Sequence, residues 1–465
     1  MSTLGESPAV LAKRKHVKNN IWCPKTNVED DPWCDPDNPK MISYKDTVKA
    51  TSVIKEHIAK TPLNRSKCCV QFNMELYYKF ETVHRTGSFL ERAALYSLSM
   101  LDDEQRAAGV ITASLGNWGL ALAYHGQRLN VPVTVVIPYT DKCKVILRYQ
   151  NYGANIIQHG KDLSEAIRKA FIIKSERQNL TYINGYDHPH VIAASGSIAL
   201  EILEQLPQTD VVLVPVGGGG LIAGIATVAK KLKPEIKIYG IEPKKCCSFF
   251  KAMENDNPFQ TVVGATVAEL LAVPKAGFNA FYTARSLIDK MVLVEDNWIS
   301  RAILHLTEEE KMVTEGAGAT ALSAFFATPI ILPELKGKTV VCVVSGGNTD
   351  YFTLCRNIER AKAIEGRLIK MRFTLSGNQL TEQRVKILRI IAKTSCNILQ
   401  CRCEEALLEE SFRKIYLTLI CETASHEHAC VVKRIMDSMF LDYKFSEDPY
   451  NPIQSCVCFP NPMLY

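Results

Sequence analysis

Short runs of valine and isoleucine recur along the first three quarters of the chain and alternate with segments of helical spacing. Apolar runs of this length without polar alternation are typical of strands buried on both faces of a parallel sheet. The intervening segments, 164–178 and 221–234 among them, place apolar residues at helical spacing. The pattern over residues 41–362 therefore predicts an open, doubly wound α/β body. The predicted strands are VPVTVVIP (131–138), DVVLVPV (210–216), IKIYGIEP (236–243), KMVLV (290–294) and TVVCVVSGG (339–347).

The two ends of the chain show other patterns. Residues 1–40 are polar, rich in proline and aspartate and without a sustained period, which predicts a disordered arm whose last part, around Trp33, packs on the body. In residues 366–448 four strand-like segments and two helical ones follow the order β-α-β-β-α-β, which is typical of a ferredoxin-like domain. Residues 449–465 form a tail to which no element is assigned.

The composition narrows the class of protein. Of the 465 residues, 47% are hydrophobic and 22% are charged, and the net charge is only +6, which is ordinary for a globular chain. Lysine and arginine form no run of five, so we expect neither a nucleic-acid partner nor membrane-surface binding. The sequence contains no segment of about 18 apolar residues, so no membrane span is predicted. The first residues lack the apolar core of a secretory signal, which favours the cytoplasm.

The 16 cysteines include no C-x-x-C pair and occur singly or as adjacent pairs. A large intracellular enzyme can carry this many reduced thiols. The segments CRC (401–403) and CVC (456–458) leave soft-metal binding open, although no second pair of histidines or cysteines lies near them in the sequence.

Candidate chemistry lies in loops that follow the predicted strands. VPVGGGGLIAGIA (214–226) places Gly217, Gly218, Gly219 and Gly220 between a buried strand and a helix. Glycine lets the backbone approach an anion closely, and the N–H groups at a helix start complement negative charge. Because the segment fits neither G-x-x-x-x-G-K-[ST] nor G-x-G-x-x-G, it predicts a phosphate site of another kind. SGGN (345–348) and the loop in TASLGNWGLALAYHG (112–126) are further candidates for ligand binding.

Several of these segments together resemble a known family. From about residue 30 to 448 the chain is similar to the serine/threonine dehydratases, which are fold type II (tryptophan synthase β-like) pyridoxal-phosphate enzymes. The likeness is greatest to animal-type L-threonine ammonia-lyases with a C-terminal ACT-like regulatory domain, which implies that role for residues 366–448. The motifs that carry the resemblance are CDPDNP, TGSF, YINGYDHPHVIA, VPVGGGGLIAGIA, NAFYTARSLIDKMV, EGAGATALSA and VSGGN.

The resemblance implies a two-lobed α/β body with pyridoxal 5'-phosphate in the cleft and the cofactor phosphate on the four glycines. Phe89, Asn117 and Ser345 would contact the pyridine ring, with Asn117 near its O3′ and Ser345 near its nitrogen. Ser114, Gly116 and Asn117 would receive the carboxylate of the substrate. The implied reaction is the conversion of L-threonine or L-serine to a 2-oxo acid and ammonia.

Leu90 departs from this family pattern at its chemical centre. The family motif S-F-K-x-R-G-A corresponds to residues 88–94, so Leu90 stands at the position of the Schiff-base lysine. Leucine has no amine to attack the cofactor aldehyde and no group to carry the α-proton. We therefore predict that no catalytic residue set is intact and that the chain is a catalytically impaired pseudoenzyme with cofactor bound non-covalently at best. An alternative is that another base, with Lys79 nearest in sequence, supports activity.

Further departures surround the same site. Trp118 replaces a histidine, Glu269 and Leu270 replace aspartate and glycine, and SGS (195–197) replaces part of a glycine-rich segment. The ACT-like segment also lacks the glycine turn through which relatives admit an effector, so we expect assembly rather than effector binding from it. A structural or regulatory subunit is thus a second hypothesis, either as a homo-oligomer or paired with an active paralogue.

The resemblance also implies that Glu242 falls where some relatives bind a divalent cation. Cys246 and Ser248 occupy the other positions of that site here, so no metal is predicted there.

Overall fold

The computed structural model describes residues 31–139, 143–177, 179–327, 329–377, 379–405, 414–440 and 443–445. The first 30 residues of the predicted arm and the whole predicted tail, with its CVC segment, lie outside these ranges. Within them, no helix is both long enough and apolar enough to cross a membrane.

Strands occur along the whole described chain. Their bounds are β1 (Leu63–Arg65), β2 (Glu75–Phe80), β3 (Val110–Ala113), β4 (Val133–Ile137), β5 (Asn155–Gln158), β6 (Thr181–Tyr182), β7 (Val211–Pro215), β8 (Lys237–Pro243), β9 (Lys290–Val294), β10 (Thr339–Val344), β11 (Leu368–Ser376), β12 (Asn397–Glu405), β13 (Lys414–Glu422) and β14 (Tyr443–Phe445).

Helices separate most of these strands. Their bounds are α1 (Tyr44–Ile54), α2 (Cys69–Phe72), α3 (Leu90–Ser99), α4 (Asp103–Ala108), α5 (Asn117–Leu129), α6 (Cys143–Asn151), α7 (Leu163–Glu176), α8 (Pro189–Ser195), α9 (Ser197–Gln205), α10 (Gly220–Leu232), α11 (Ser248–Asn255), α12 (Phe278–Ala284), α13 (Asp296–Glu308), α14 (Gly316–Ser323), α15 (Tyr351–Ile364), α16 (Leu380–Lys393) and α17 (His426–Met439).

Two parallel sheets form the two lobes of the α/β body. The larger has the order β1-β2-β10-β7-β8-β9, in which only β1 runs antiparallel to its neighbour. The smaller has the order β5-β4-β3-β6 and is parallel throughout. Every residue of β4 and β7 is buried, as the continuous apolar runs predict. The predicted strand 131–138 is shorter than expected because Pro132 and Pro138, which lack a backbone N–H, flank β4.

The C-terminal region forms a third, antiparallel sheet with the order β12-β13-β11-β14. The elements follow the chain as β-α-β-β-α-β, in agreement with the predicted order. Its own apolar core includes Phe373, Ile387, Leu417 and Val432. Arg367, at the start of this region, forms an ion pair of 2.8 Å with Glu308 at the end of α13, which fastens the region to the body.

The described part of the predicted arm lies against the body. The Trp33 ring has its centroid 5.2 Å from that of His188 and 5.8 Å from that of His190. The Trp33 backbone carbonyl accepts a hydrogen bond of 2.6 Å from the Asn279 side-chain amide. The side-chain oxygen of Asn279 accepts a hydrogen bond from the Lys40 backbone N–H. Residues 31–40 are thus held by both aromatic and polar contacts.

Candidate functional site

A glycine loop joins β7 to α10 at the carboxyl edge of the larger sheet. It consists of Gly217, Gly218, Gly219 and Gly220. Gly219 has a φ of +100°, in the left-handed region that glycine adopts without strain. A side chain on Gly218 would overlap the Tyr186 ring, and a side chain on Gly219 would overlap the Phe249 ring. Close packing therefore requires glycine here as much as the backbone angle does.

The loop presents backbone donors at a helix start. Among the described residues, no hydrogen-bond acceptor contacts the N–H groups of Gly218, Gly219 and Gly220. They stand at the N-terminus of α10, a helix of 13 residues, where the helix dipole adds positive potential. Unpaired donors in such a position fit a phosphate group without any cationic side chain.

The structure brings every residue predicted for the site to one cavity between the two lobes. The predicted residues that line it are Phe89, Leu90, Ser114, Gly116, Asn117, Gly217, Gly218, Gly219, Gly220 and Ser345. Much of the remaining wall is apolar and includes Ile167, Leu221 and Val273. Within the described chain, no lysine and no arginine lines this cavity.

Leu90 is placed in this wall by contacts between two loops. Ser88 bridges Gly346, and the Phe89 N–H donates to the Ser345 carbonyl at 3.0 Å. These contacts fix the start of α3, whose first residue is Leu90, beside the loop that follows β10. The half-buried Leu90 side chain packs on the main apolar core and also faces the cavity. A hydrocarbon group therefore lines the cavity that the glycine loop also lines.

In the loop that contains Ser114 and Gly116, the Ser114 side chain accepts two of the backbone donors. The Ser114 hydroxyl oxygen accepts hydrogen bonds from the N–H groups of Gly116 at 3.1 Å and Gly119 at 3.0 Å. A Leu270 methyl lies only 3.1 Å from the position that a Cβ on Gly116 would occupy. Leu270 lines both this cavity and a neighbouring one, so it lies between them. The loop thus has a side chain against it where the predicted carboxylate would bind.

Trp118 also occupies space in this part of the cavity. Its buried indole lines the cavity and donates a hydrogen bond of 2.9 Å from Nε1 to the Thr112 hydroxyl. A side chain at Gly185 would overlap the indole ring, so Trp118 is packed directly against that backbone. The bulky ring narrows this part of the cavity, as the sequence predicts.

Glu315 is the acidic group of the cavity and was not singled out by the sequence analysis. Its Oε1 accepts a hydrogen bond of 2.7 Å from the Asn117 side-chain amide. The side-chain oxygen of Asn117 in turn accepts a hydrogen bond of 2.9 Å from the side-chain amide of Asn348. Its Oε2 is buried and has no hydrogen-bond partner among the described residues. Burial raises the pKa of Glu315 to about 8, against the opposing effect of the donors from Asn117 and Asn348. The site therefore holds a carboxyl group that keeps its proton at neutral pH.

Comparison with known proteins places this cavity in a family. The family model described as "Pyridoxal-phosphate dependent enzyme" matches residues 54–346, which span both lobes and all the lining loops. The chain belongs to the pyridoxal-phosphate-dependent enzymes. The resemblance to serine/threonine dehydratases of fold type II, a group that depends on this cofactor, is thereby confirmed.

Curated relatives and a solved structure agree. The chain is 35% identical over 359 residues to an L-threonine ammonia-lyase of Geobacter sulfurreducens, covering 77% of this chain and 88% of the relative. It is 32% identical over 400 residues to an L-threonine ammonia-lyase of Thermotoga maritima, covering 85% and 97%. The processed form of threonine deaminase isoform 2 from Solanum lycopersicum superposes with a TM-score of 0.64 at 32% identity, covering 70% of this chain and 96% of that one.

Lys79 lies outside the cavity of this pyridoxal-phosphate family member. Its fully buried amine donates to the Thr61 carbonyl at 2.8 Å, the Glu201 carboxylate at 2.6 Å and the Gln205 side chain at 2.8 Å. Burial lowers the pKa of Lys79, and the nearby carboxylates of Glu201 and Glu81 oppose that effect. The amine is thus held by three acceptors away from the glycine loop.

Arg92 extends this buried network, which sequence reasoning missed. It donates to Glu81 at 2.8 and 2.9 Å and also pairs with Glu201. Although burial alone would raise it, the charges of Arg92 and His84 hold the pKa of Glu81 well below its usual range. Because the partners are far apart in sequence, no local pattern could have indicated the network.

Glu242 has a structural set of contacts. Its two carboxylate oxygens accept hydrogen bonds from the N–H groups of Phe249 at 2.9 Å and Phe250 at 2.8 Å, at the start of α11. Burial raises the pKa of Glu242 to about 8, against those two donors. Cys246 and Ser248 are buried nearby, and the Ser248 hydroxyl has no hydrogen-bond partner among the described residues.

Proposed function

We propose that this chain is a threonine/serine ammonia-lyase homologue that keeps the cofactor cradle but has lost the residue that makes the elimination possible. The observation that supports the proposal is that Leu90 lines the cavity together with the glycine loop. The resemblance implies that this is the position of the family's Schiff-base lysine. No lysine lines the cavity within the described residues, so no described amine replaces it. The chain is then a pseudoenzyme, with the ancestral reaction being L-threonine or L-serine to a 2-oxo acid and ammonia.

The cofactor end of the cavity fits pyridoxal 5'-phosphate. The unpaired N–H groups of Gly218, Gly219 and Gly220 would bind the phosphate, and a Cβ at these positions would collide with Tyr186 or Phe249 and displace the loop. Phe89 would pack on the ring, and the Ser345 hydroxyl would face its nitrogen. When bound, the cofactor supplies an electron-withdrawing ring that acidifies the α-proton of an amino acid. Leu90 offers no lone pair to its aldehyde, so binding is non-covalent.

The substrate end fits an amino acid poorly. Two N–H groups of this loop, those of Gly116 and Gly119, already donate to Ser114 and are therefore not free to bind a carboxylate. The Leu270 methyl and the Trp118 ring occupy space on the same side. Glu315, protonated at neutral pH, could donate through its unpartnered oxygen, but a single carboxyl group does not bind a carboxylate in a fixed orientation.

A turnover assay tests this proposal. The purified full chain is incubated with pyridoxal 5'-phosphate and L-threonine or L-serine, and ammonia and 2-oxo acid are measured. We expect no release above a control that contains cofactor without protein. Steady production of 2-oxobutyrate would contradict the proposal, and its loss in Lys79→Met with the fold preserved would identify Lys79 as the replacement base.

Assembly is the second candidate function, and the C-terminal sheet favours it. β12 lies at the edge of that sheet and exposes Leu399, which is 51% accessible. An exposed strand edge with an apolar side chain can pair with another chain. We propose that this region is of the ACT type and forms a homo-oligomer, or a hetero-oligomer with an active paralogue, in the cytoplasm. Light scattering of the full chain at micromolar concentration should show a dimer or larger, and a monomer would contradict this.

A further inference from the structure

We propose that Cys68, His305 and Glu310 form a binding site for a divalent zinc ion, separate from the cofactor cavity. One ligand atom from each residue can be chosen so that the three atoms all lie within 4.8 Å of one another. Three such atoms all fit within about 2.8 Å of a common point, compared with zinc–ligand distances of about 2.0–2.3 Å. Shifts of roughly half an ångström per side chain would therefore complete the coordination. The inference does not depend on the proposed pseudoenzyme function.

The three ligands come from two segments that hydrogen bonds already join. Cys68 immediately precedes α2, and its N–H donates to the Ser66 hydroxyl oxygen at 3.1 Å. The Ser66 hydroxyl in turn donates to the Glu310 carboxylate at 2.7 Å, and the Lys67 N–H donates to the same oxygen at 3.1 Å. His305 lies on the last turns of α13, five residues before Glu310. The backbone is thus organised around the site before any ion binds.

The ligand types suit zinc. A thiolate, an imidazole nitrogen and a carboxylate oxygen are all zinc ligands, and the thiolate disfavours magnesium and calcium. The carboxylates of Glu309 and Glu310 beside Cys68 create a negative potential that favours a cation.

The surroundings provide both a rigid apolar shell and access. The His305 ring packs against Phe72 at 5.5 Å and Phe326 at 5.6 Å between centroids, which restrains its orientation. Cys68 and Glu310 are only partly buried, so an ion can reach them from solvent. Three protein ligands leave one tetrahedral position for water.

The register of the larger sheet separates this site from the cavity. Glu75, at the start of β2, pairs with Thr339, and Phe80, at its end, pairs with Val344, directly before Ser345. Cys68, His305 and Glu310 are not among the residues that line the cavity, which lies beyond the end of β2. Occupancy of one site therefore does not require the other.

Cobalt(II) titration of the purified, metal-free full chain tests the proposal. Cobalt replaces zinc in thiolate sites and produces a thiolate-to-metal charge-transfer band in the near ultraviolet. We expect one equivalent to bind with this band and zinc to displace it. Cys68→Ala should abolish the band. The matched control is Cys401→Ser, which removes an exposed thiol in the C-terminal sheet and should leave the band unchanged.

Glu310→Gln keeps the test decisive even if Cys68→Ala does not fold. The glutamine amide oxygen can still accept from Ser66 and Lys67, so folding should be preserved while the charged ligand is lost. We expect metal affinity to fall at least tenfold, since even changes outside the ligand set cost about 10–100-fold. Absence of the band in the parent chain, or an equal band and affinity in Glu310→Gln, would overturn the proposal. Glu310 would then serve only to cap the loop at residues 66–67.

Discussion

Replacing Lys79 separates a structural role for this residue from a catalytic one. In Lys79→Met the apolar stem is kept, but a fully buried amine that has three acceptors at 2.6–2.8 Å is removed. The buried network of Lys79 and Arg92 with Glu81 and Glu201 then carries one uncompensated negative charge. Breaking a buried ion pair by removing one partner costs about 3–5 kcal/mol. Because Glu201 keeps its contacts with Arg92, we expect the free energy of unfolding to fall by about 3 kcal/mol, at the lower end of that range.

The free energy of unfolding is measured from urea transitions followed by far-ultraviolet circular dichroism. The chain offers a matched control in Lys60→Met, since Lys60 and Glu204 form an exposed pair with side chains 42% and 68% accessible. Exposed pairs contribute little to stability, so this variant should unfold like the parent. Combining Lys79→Met with Glu201→Gln should cost less than the sum of the single changes, because the unpaired charge is removed. Equal stability of Lys79→Met and Lys60→Met would refute the reasoning.

Two further predictions concern the cavity. Gly218→Ala places a methyl group against the Tyr186 ring and should lower both stability, by about 1–3 kcal/mol, and cofactor affinity. Gly264→Ala, where a Cβ meets nothing closer than 3.4 Å, is the control for an equilibrium titration with pyridoxal 5'-phosphate, and equal affinities would contradict the cradle. Burial raises the pKa of Glu315 to about 8, so the stability held by its protonated form is complete below about pH 4 and is lost as the pH rises through 8. Relative to the parent, Glu315→Gln should therefore gain about 1.4 kcal/mol per pH unit between roughly pH 5 and 8 in urea unfolding, and a constant difference would exclude the buried proton.

The α/β body could be predicted from sequence where strands are buried on both faces. β9 was predicted with its observed bounds, and β7, β8 and β10 differ from their predicted runs by one to three residues at an end. β5 was not predicted, because this short edge strand is exposed or half-buried along its length and carries no long apolar run. The two-residue β6 is too short for any periodic signal.

The candidate site shows the same division between local and long-range information. The glycine loop is visible in sequence because one segment contains the strand end, the glycines and the helix start. Glu315 lies in EGAGATALSA, yet its pKa is raised by burial between segments that are distant in sequence, against the opposing donors from Asn117 and Asn348. The closure by Leu270 likewise depends on its approach to Gly116 across the cavity. Contacts of this kind form only in the folded chain, so the sequence alone could not predict them.

Covalent attachment of the cofactor tests the central claim most directly. The parent chain and the Leu90→Lys variant are each incubated with pyridoxal 5'-phosphate and reduced with borohydride. Their masses are then measured by mass spectrometry, and circular dichroism verifies the fold. We expect the parent to retain no cofactor mass and Leu90→Lys to retain one, because the new amine would lie in the wall of the cavity that the glycine loop lines. Cofactor fixed at a lysine within the cavity of the parent, or a folded Leu90→Lys that fixes none, would contradict the account.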